Sequence, residues 1–91
     1  MKFVFEAGQN EKNLVEYEFN QLLGRLTIKV NNTAIKRSVR LFSEPLKEAH
    51  SFVIGQKELV TVRIEKERML LYGQVARVFL DNRLYQRYEG V

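Results

Sequence analysis

Ile28-Lys29-Val30-Asn31-Asn32-Thr33-Ala34-Ile35-Lys36-Arg37 returns fifty residues later as Val78-Phe79-Leu80-Asp81-Asn82-Arg83-Leu84-Tyr85-Gln86-Arg87. Each copy alternates apolar residues, meets an Asn/Asp pair able to adopt the positive φ of a tight turn, and then resumes with an apolar residue and an arginine. The repeated phrase predicts two β-hairpins with two-residue turns, and with them an antiparallel all-β chain.

Working outward, Leu26, Ile28 and Val30 alternate cleanly into the first turn, and Val15, Tyr17 and Phe19 share one face of an earlier strand. Phe3-Val4-Phe5 reads as the first strand, closed by the turn-rich Ala7-Gly8-Gln9-Asn10. Past Asn32 the alternation sorts Ile35, Arg37, Val39 and Leu41 onto one face and Ala34, Lys36, Ser38, Arg40 and Phe42 onto the other. With the first set inward, Arg37 must reach the rim or find a partner, because a lone buried charge is costly. Only residues 43–49 have helical composition, with Pro45 placed as in a first turn, so one helical turn or a loop is expected there, with His50 at a strand edge after it. Phe52-Val53-Ile54, the connection Gly55-Gln56-Lys57, and Val60, Val62 and Ile64 form the next hairpin. Gly73 marks a bulge or bend. The sum is seven to eight short strands, read as one antiparallel β-sandwich domain over residues 1–91, with a small barrel as the other way to close such a pattern. A parallel α/β fold is excluded for want of a crossover helix.

The 91 residues carry a net charge of +4 and no cysteine. Disulfides, thiolate metal sites and cysteine nucleophiles are therefore excluded. His50 is the single histidine and Asp81 the single aspartate. A Ser-His-Asp arrangement would need both with Ser38, Ser43 or Ser51, and Ser51 points to the opposite sheet face from its neighbour His50. One histidine with scattered glutamates lacks zinc-ligand spacing. Glu65 and Glu67 share a face but read as a strand end, and the dispersed glycines build no phosphate cradle. No catalytic, cofactor-binding or metal-ligating residue is assigned, and the expectation is a protein without enzymatic activity or cofactor. Met1-Lys2-Phe3-Val4-Phe5 meets Glu6 after three apolar residues, too few for a signal sequence or membrane span, so a cytoplasmic protein with no membrane contact is expected.

Two surfaces are candidates. Leu84-Tyr85-Gln86-Arg87-Tyr88 combines tyrosines with polar groups as interfaces do, so Tyr85, Arg87 and Tyr88 mark an interaction surface for an unidentified protein or for a second copy in a homodimer. Residues 21–43 carry five basic residues and no acid. From these, Arg25, Lys29, Lys36 and Arg40 on the outward face offer the alternative of a nucleic-acid-binding small β-barrel, although a stacking platform of aromatics is weakly represented. Arg37 and Arg87 occupy equivalent positions in the two hairpins and are expected at the rim, near Glu16 or Glu18.

From Ile28 onward the chain resembles one β-sandwich domain of the Fas apoptosis inhibitory molecule family. The likeness runs through Ile28-Lys29-Val30-Asn31-Asn32, Ile35 with Arg37, Phe52-Val53-Ile54-Gly55-Gln56-Lys57, Val62-Arg63-Ile64, and Val78-Phe79-Leu80-Asp81-Asn82 with Leu84 and Tyr88. It implies a non-enzymatic antiparallel sandwich acting through protein contacts. The family's Asp-Gly turns stand here as Asn31-Asn32 and Asp81-Asn82, and its tandem pair of domains is matched by one.

Overall fold

The computed structural model describes residues 1–39, 46–69 and 73–90. Among them lie eight strands: β1 (Lys2–Ala7), β2 (Asn13–Asn20), β3 (Arg25–Val30), β4 (Thr33–Val39), β5 (Lys47–Ile54), β6 (Val60–Arg68), β7 (Gln74–Leu80) and β8 (Arg83–Gly90). They form two four-stranded antiparallel meanders, β1-β2-β3-β4 and β5-β6-β7-β8. No helix among the described residues is long and apolar enough to cross a membrane.

Strand alternation places one face of each meander in a shared core. Phe3, Phe5, Val15, Tyr17, Phe19, Leu26 and Ile28 are buried from the first, and Ile54, Val60, Val62, Ile64, Ala76 and Val78 from the second. Each large apolar side chain among them contributes about 1.5–3 kcal/mol on leaving water. Phe3 stacks on Tyr88 at 4.0 Å between ring centroids, so β1 lies over β8. Lys36 Nζ lies 2.7 Å from His50 Nδ1, so β4 lies over β5. The layers are those of a sandwich with its strand order reversed between the two sheets.

The two meanders are copies of one unit. Asn31 and Asn32 take φ of 49° and 67°, and Asp81 and Asn82 take 50° and 66°, the paired positive values of the predicted hairpin turns. Leu14 N donates to Asn31 Oδ1 at 2.8 Å, as Thr61 N donates to Asp81 Oδ1 at 2.9 Å. Both hairpins carry a register shift, at Ile28/Lys29 and at Val78/Phe79. A second repeat joins these: Gly8-Gln9-Asn10-Glu11 between β1 and β2 matches Gly55-Gln56-Lys57-Glu58 between β5 and β6. The Glu11 carboxylate accepts hydrogen bonds from the backbone N–H groups of Gln56, Lys57 and Glu58. The Glu58 carboxylate accepts in return from Gln9 and Asn10. Each turn is thus closed by the other copy's glutamate, and the halves are related by an approximate two-fold axis.

Glycine is required where the carboxylates enter. Gly8 and Gly55 have φ of +107° and +100°, and an added Cβ would lie 2.0 Å from the backbone oxygen of Glu11 or Glu58 respectively.

Two expectations change. β5 starts at Lys47, so residues 47–49 of the helix-or-loop segment are strand and His50 is a buried residue within it. The ladder continues because Lys47, Glu48 and Ala49 pair with Glu67, Lys66 and Glu65 of β6. On β4 the register shift reverses the predicted faces. Lys36 pairs with Ile28 and Ser38 with Leu26, while Ile35, Arg37 and Val39 are exposed. Arg40, Leu41, Phe42 and the proline turn at 43–45 lie outside the described residues.

The three backbone hydrogen bonds hold the Glu11 carboxyl below the usual glutamate range. A carboxylate whose folded-state pKa is depressed adds stability above its unfolded-state pKa and loses it as pH falls through the folded value. Glu11→Gln is therefore expected to lower stability at neutral pH and to flatten the acid limb of a stability–pH curve measured by urea unfolding. An acid limb identical to wild type would remove the latch from the stabilising interactions. Gly8→Ala should cost roughly 1–3 kcal/mol in backbone strain alone, with the oxygen clash added, as read from the same unfolding midpoints.

Candidate functional site: two unlike seams

Two equivalent seams run along the sides of the sandwich, where an edge strand of one sheet overlies an edge strand of the other. The β1/β8 seam is aromatic. Phe3 stacks on both Tyr88 and Tyr17, at 4.0 and 4.8 Å, and Phe5 meets Tyr85 at 5.8 Å with the rings tilted by 43°. Burial, reinforced by nearby Tyr85, raises the Tyr88 phenol above the usual tyrosine range. Beside the seam a cleft of about 630 Å³ is lined by Glu6, Gln9, Leu59, Leu80, Arg83 and Tyr85, among others.

The predicted interaction residues fall on β8, but not on one face. Tyr85 is 49% exposed. Arg87 lies on the outer face, opposite Arg77 of β7 and ion-paired with Glu89; Arg77 in turn pairs with Glu67 at 3.6 Å. Tyr88 points inward and spends its ring on Phe3, a partner whose distance along the chain hid it from sequence reading. Leu84, within the predicted segment but not among its marked residues, is 60% exposed beside Tyr85. Alternation is broken there by the register shift between Val78 and Phe79, so its outward direction was not legible. Phe79 is half-buried beneath the Arg63 guanidinium, 4.2 Å from its ring centroid.

The β4/β5 seam is polar. Lys36 Nζ meets His50 Nδ1 at 2.7 Å, and His50 Nε2 lies 3.7 Å from Glu48 Oε1. The other oxygen of Glu48 lies 3.9 Å from Lys66 Nζ, which sits 3.5 Å over the Phe19 ring. A chain of charged and polar groups thus leads from the β4 edge into the core. Glu48 and Lys66 escaped the sequence reading although a signal existed: Lys66 continues the inward series Val60, Val62, Ile64, and its charge alone suggested a strand end. Gln74 is fully buried next to this region, and among the described residues neither amide atom has a hydrogen-bond partner.

The basic outward surface is only partly assembled. Arg25 and Lys29 share the outer face of β3, where Glu16 pairs with Lys29 and Glu18 with Thr27. Lys2 adds a further charge opposite Glu18, so acids and bases interleave across the sheet. Lys36 leaves this face for His50, and Arg40 lies outside the described residues. Arg37 stands opposite Thr27, with β3 between it and Glu18. Arg87 finds Glu89 rather than Glu16 or Glu18. Among the described residues no group of three or more His, Cys, Asp or Glu is gathered to hold a metal ion. Asp81 is committed to the turn through Thr61 N.

No family model, no curated protein and no solved structure matches the chain.

The buried Glu48–Lys66 contact predicts a non-additive mutant cycle. Glu48→Leu strips a buried ammonium of its carboxylate and should cost about 3–5 kcal/mol. Adding Lys66→Met removes the charge with little change in volume and should recover much of that loss in chemical denaturation. Additive single and double effects would show the two charges to be energetically independent.

Proposed function

We propose that the protein is a non-enzymatic β-sandwich that binds another protein chain through the β8 edge. The observation that carries this is the character of β8. It is the last strand of its sheet, and six of its eight residues, all but Tyr88 and Gly90, are exposed, Leu84 and Tyr85 among them. An edge strand presents unpaired backbone donors and acceptors to a partner strand, and side chains beside it supply specificity. Tyr85 and Leu84 give that edge apolar area, and the neighbouring cleft can receive a side chain from the partner. The resemblance to the Fas apoptosis inhibitory molecule family, whose domains act through protein contacts, leans the same way.

The expected result is that β8 amides gain hydrogen-exchange protection when partner protein is present, either from host extract or from raised concentration of the chain itself. Leu84→Lys, at an exposed position, should abolish the gain given by host extract with unfolding changed by about 0.5 kcal/mol or less, whereas Tyr85→Lys should abolish it and also lose the ring contact with Phe5. Protection confined to other strands under both conditions would overturn the proposal. Salt-sensitive retention of a single-stranded oligonucleotide without β8 protection would move the function to the basic face of β3.

A further inference from the structure

Resting on the reading of β8 as a binding edge, we propose that its partner is a second copy of the chain, joined by antiparallel β8–β8 pairing about a two-fold axis at Tyr88. The inference comes from charge placement. Arg87 and Glu89 flank Tyr88 and share the outer face of β8. An antiparallel two-fold copy centred on Tyr88 sets Arg87 opposite the partner's Glu89, and Glu89 opposite the partner's Arg87. Cross-strand neighbours of this kind approach within reach of an ion pair. Because Arg87 already pairs with Glu89 of its own strand, the dimer would place each guanidinium between two carboxylates. Tyr88, the residue on the axis, faces inward onto Phe3 and puts no bulk in the way. The register shift between Val78 and Phe79 lies outside Gln86–Gly90, leaving that half of the strand regular enough to pair.

The other edge strands sharpen the choice. β4 carries Lys36 and Arg37 and no acid, so a two-fold copy of it offers no unlike charge to pair. The outer face of β5 offers Lys47 with Ala49, Ser51 and Val53, again without an acid. β1, which lies over β8, has Lys2 and Glu6 exposed on either side of Val4, so a two-fold pairing of it about Val4 also matches unlike charges. Among the described edge strands, self-complementarity of charge falls on the β1/β8 side.

Sedimentation equilibrium from micromolar to near-millimolar chain tests this, with Arg87→Glu, Glu89→Arg and the double exchange Arg87→Glu/Glu89→Arg. The expected result is a closed dimer of twice the chain mass. Each single reversal should weaken it by about tenfold or more, because the like-charge contact occurs twice across the axis, and the double exchange should restore it. Circular dichroism melts of all four proteins confirm folding. A monomer at every concentration overturns the proposal, as does a dimer indifferent to the reversals or one that the double exchange does not rescue. A monomer whose β8 amides are still protected by host extract keeps β8 as a binding edge and loses only the second copy; a monomer without that protection loses both.

Discussion

The exchange of carboxylates between Glu11 and Glu58 is the constraint on which the arrangement of the two sheets depends. Every strand ladder runs within one meander, so backbone pairing builds each sheet and does nothing to orient one against the other. Apolar burial holds the sheets together but is non-directional. The latch supplies direction, because a carboxylate that accepts several N–H groups from a tight turn fits only one relative placement. Gly8 and Gly55 are its geometric consequence: the chain must turn with positive φ, and no Cβ has room.

A duplicated unit makes divergence visible, since each position has an internal reference. Phe3 corresponds to His50, Phe19 to Lys66, and Tyr85 to Ile35 when the turns are superposed. One seam was thereby built of stacked rings and the other of lysine, histidine and glutamate, on the same backbone. Phe19 and Lys66 meet each other at the centre, where two copies of one residue type would otherwise have met. The cation–π contact is what an asymmetric pair can make at that point and two lysines cannot, for two ammonium groups would repel.

The sequence displayed the elements whose physics is local. The Asn31-Asn32 and Asp81-Asn82 turns were legible because few residues tolerate positive φ, and the buried faces of β2, β3 and β6 were legible from period-2 alternation. The reversed face of β4 was not, because one register shift changes which residues point inward and nothing in the residues 28–36 announces it. The early start of β5 was hidden by Pro45 and a run of helix formers, whose weak preference loses to a ladder against β6. At the candidate site, composition and position singled out Tyr85 and Arg87, and both are exposed on β8. The inward turn of Tyr88 and the Lys36–His50 contact depend on residues of the opposite sheet, which no local pattern reveals.

Duplication also creates a hazard, and the charges answer it. A sandwich built from two equivalent meanders has two equivalent sides, each with a pair of strand edges. If both sides were sticky, copies would add to each side in turn, and the sheets would extend without limit. Here the β4/β5 side carries Lys36, Arg37 and Lys47 on its edge strands, with Glu48 drawn inward to Lys66. Positive charge repels a second copy there, whereas the β1/β8 side alternates sign along its outer face. Under the proposed pairing, association through β8 would close after two chains, and the charge asymmetry between the halves would have the same effect on assembly that the aromatic and polar seams have on the core: it makes one side of a duplicated fold different in kind from the other.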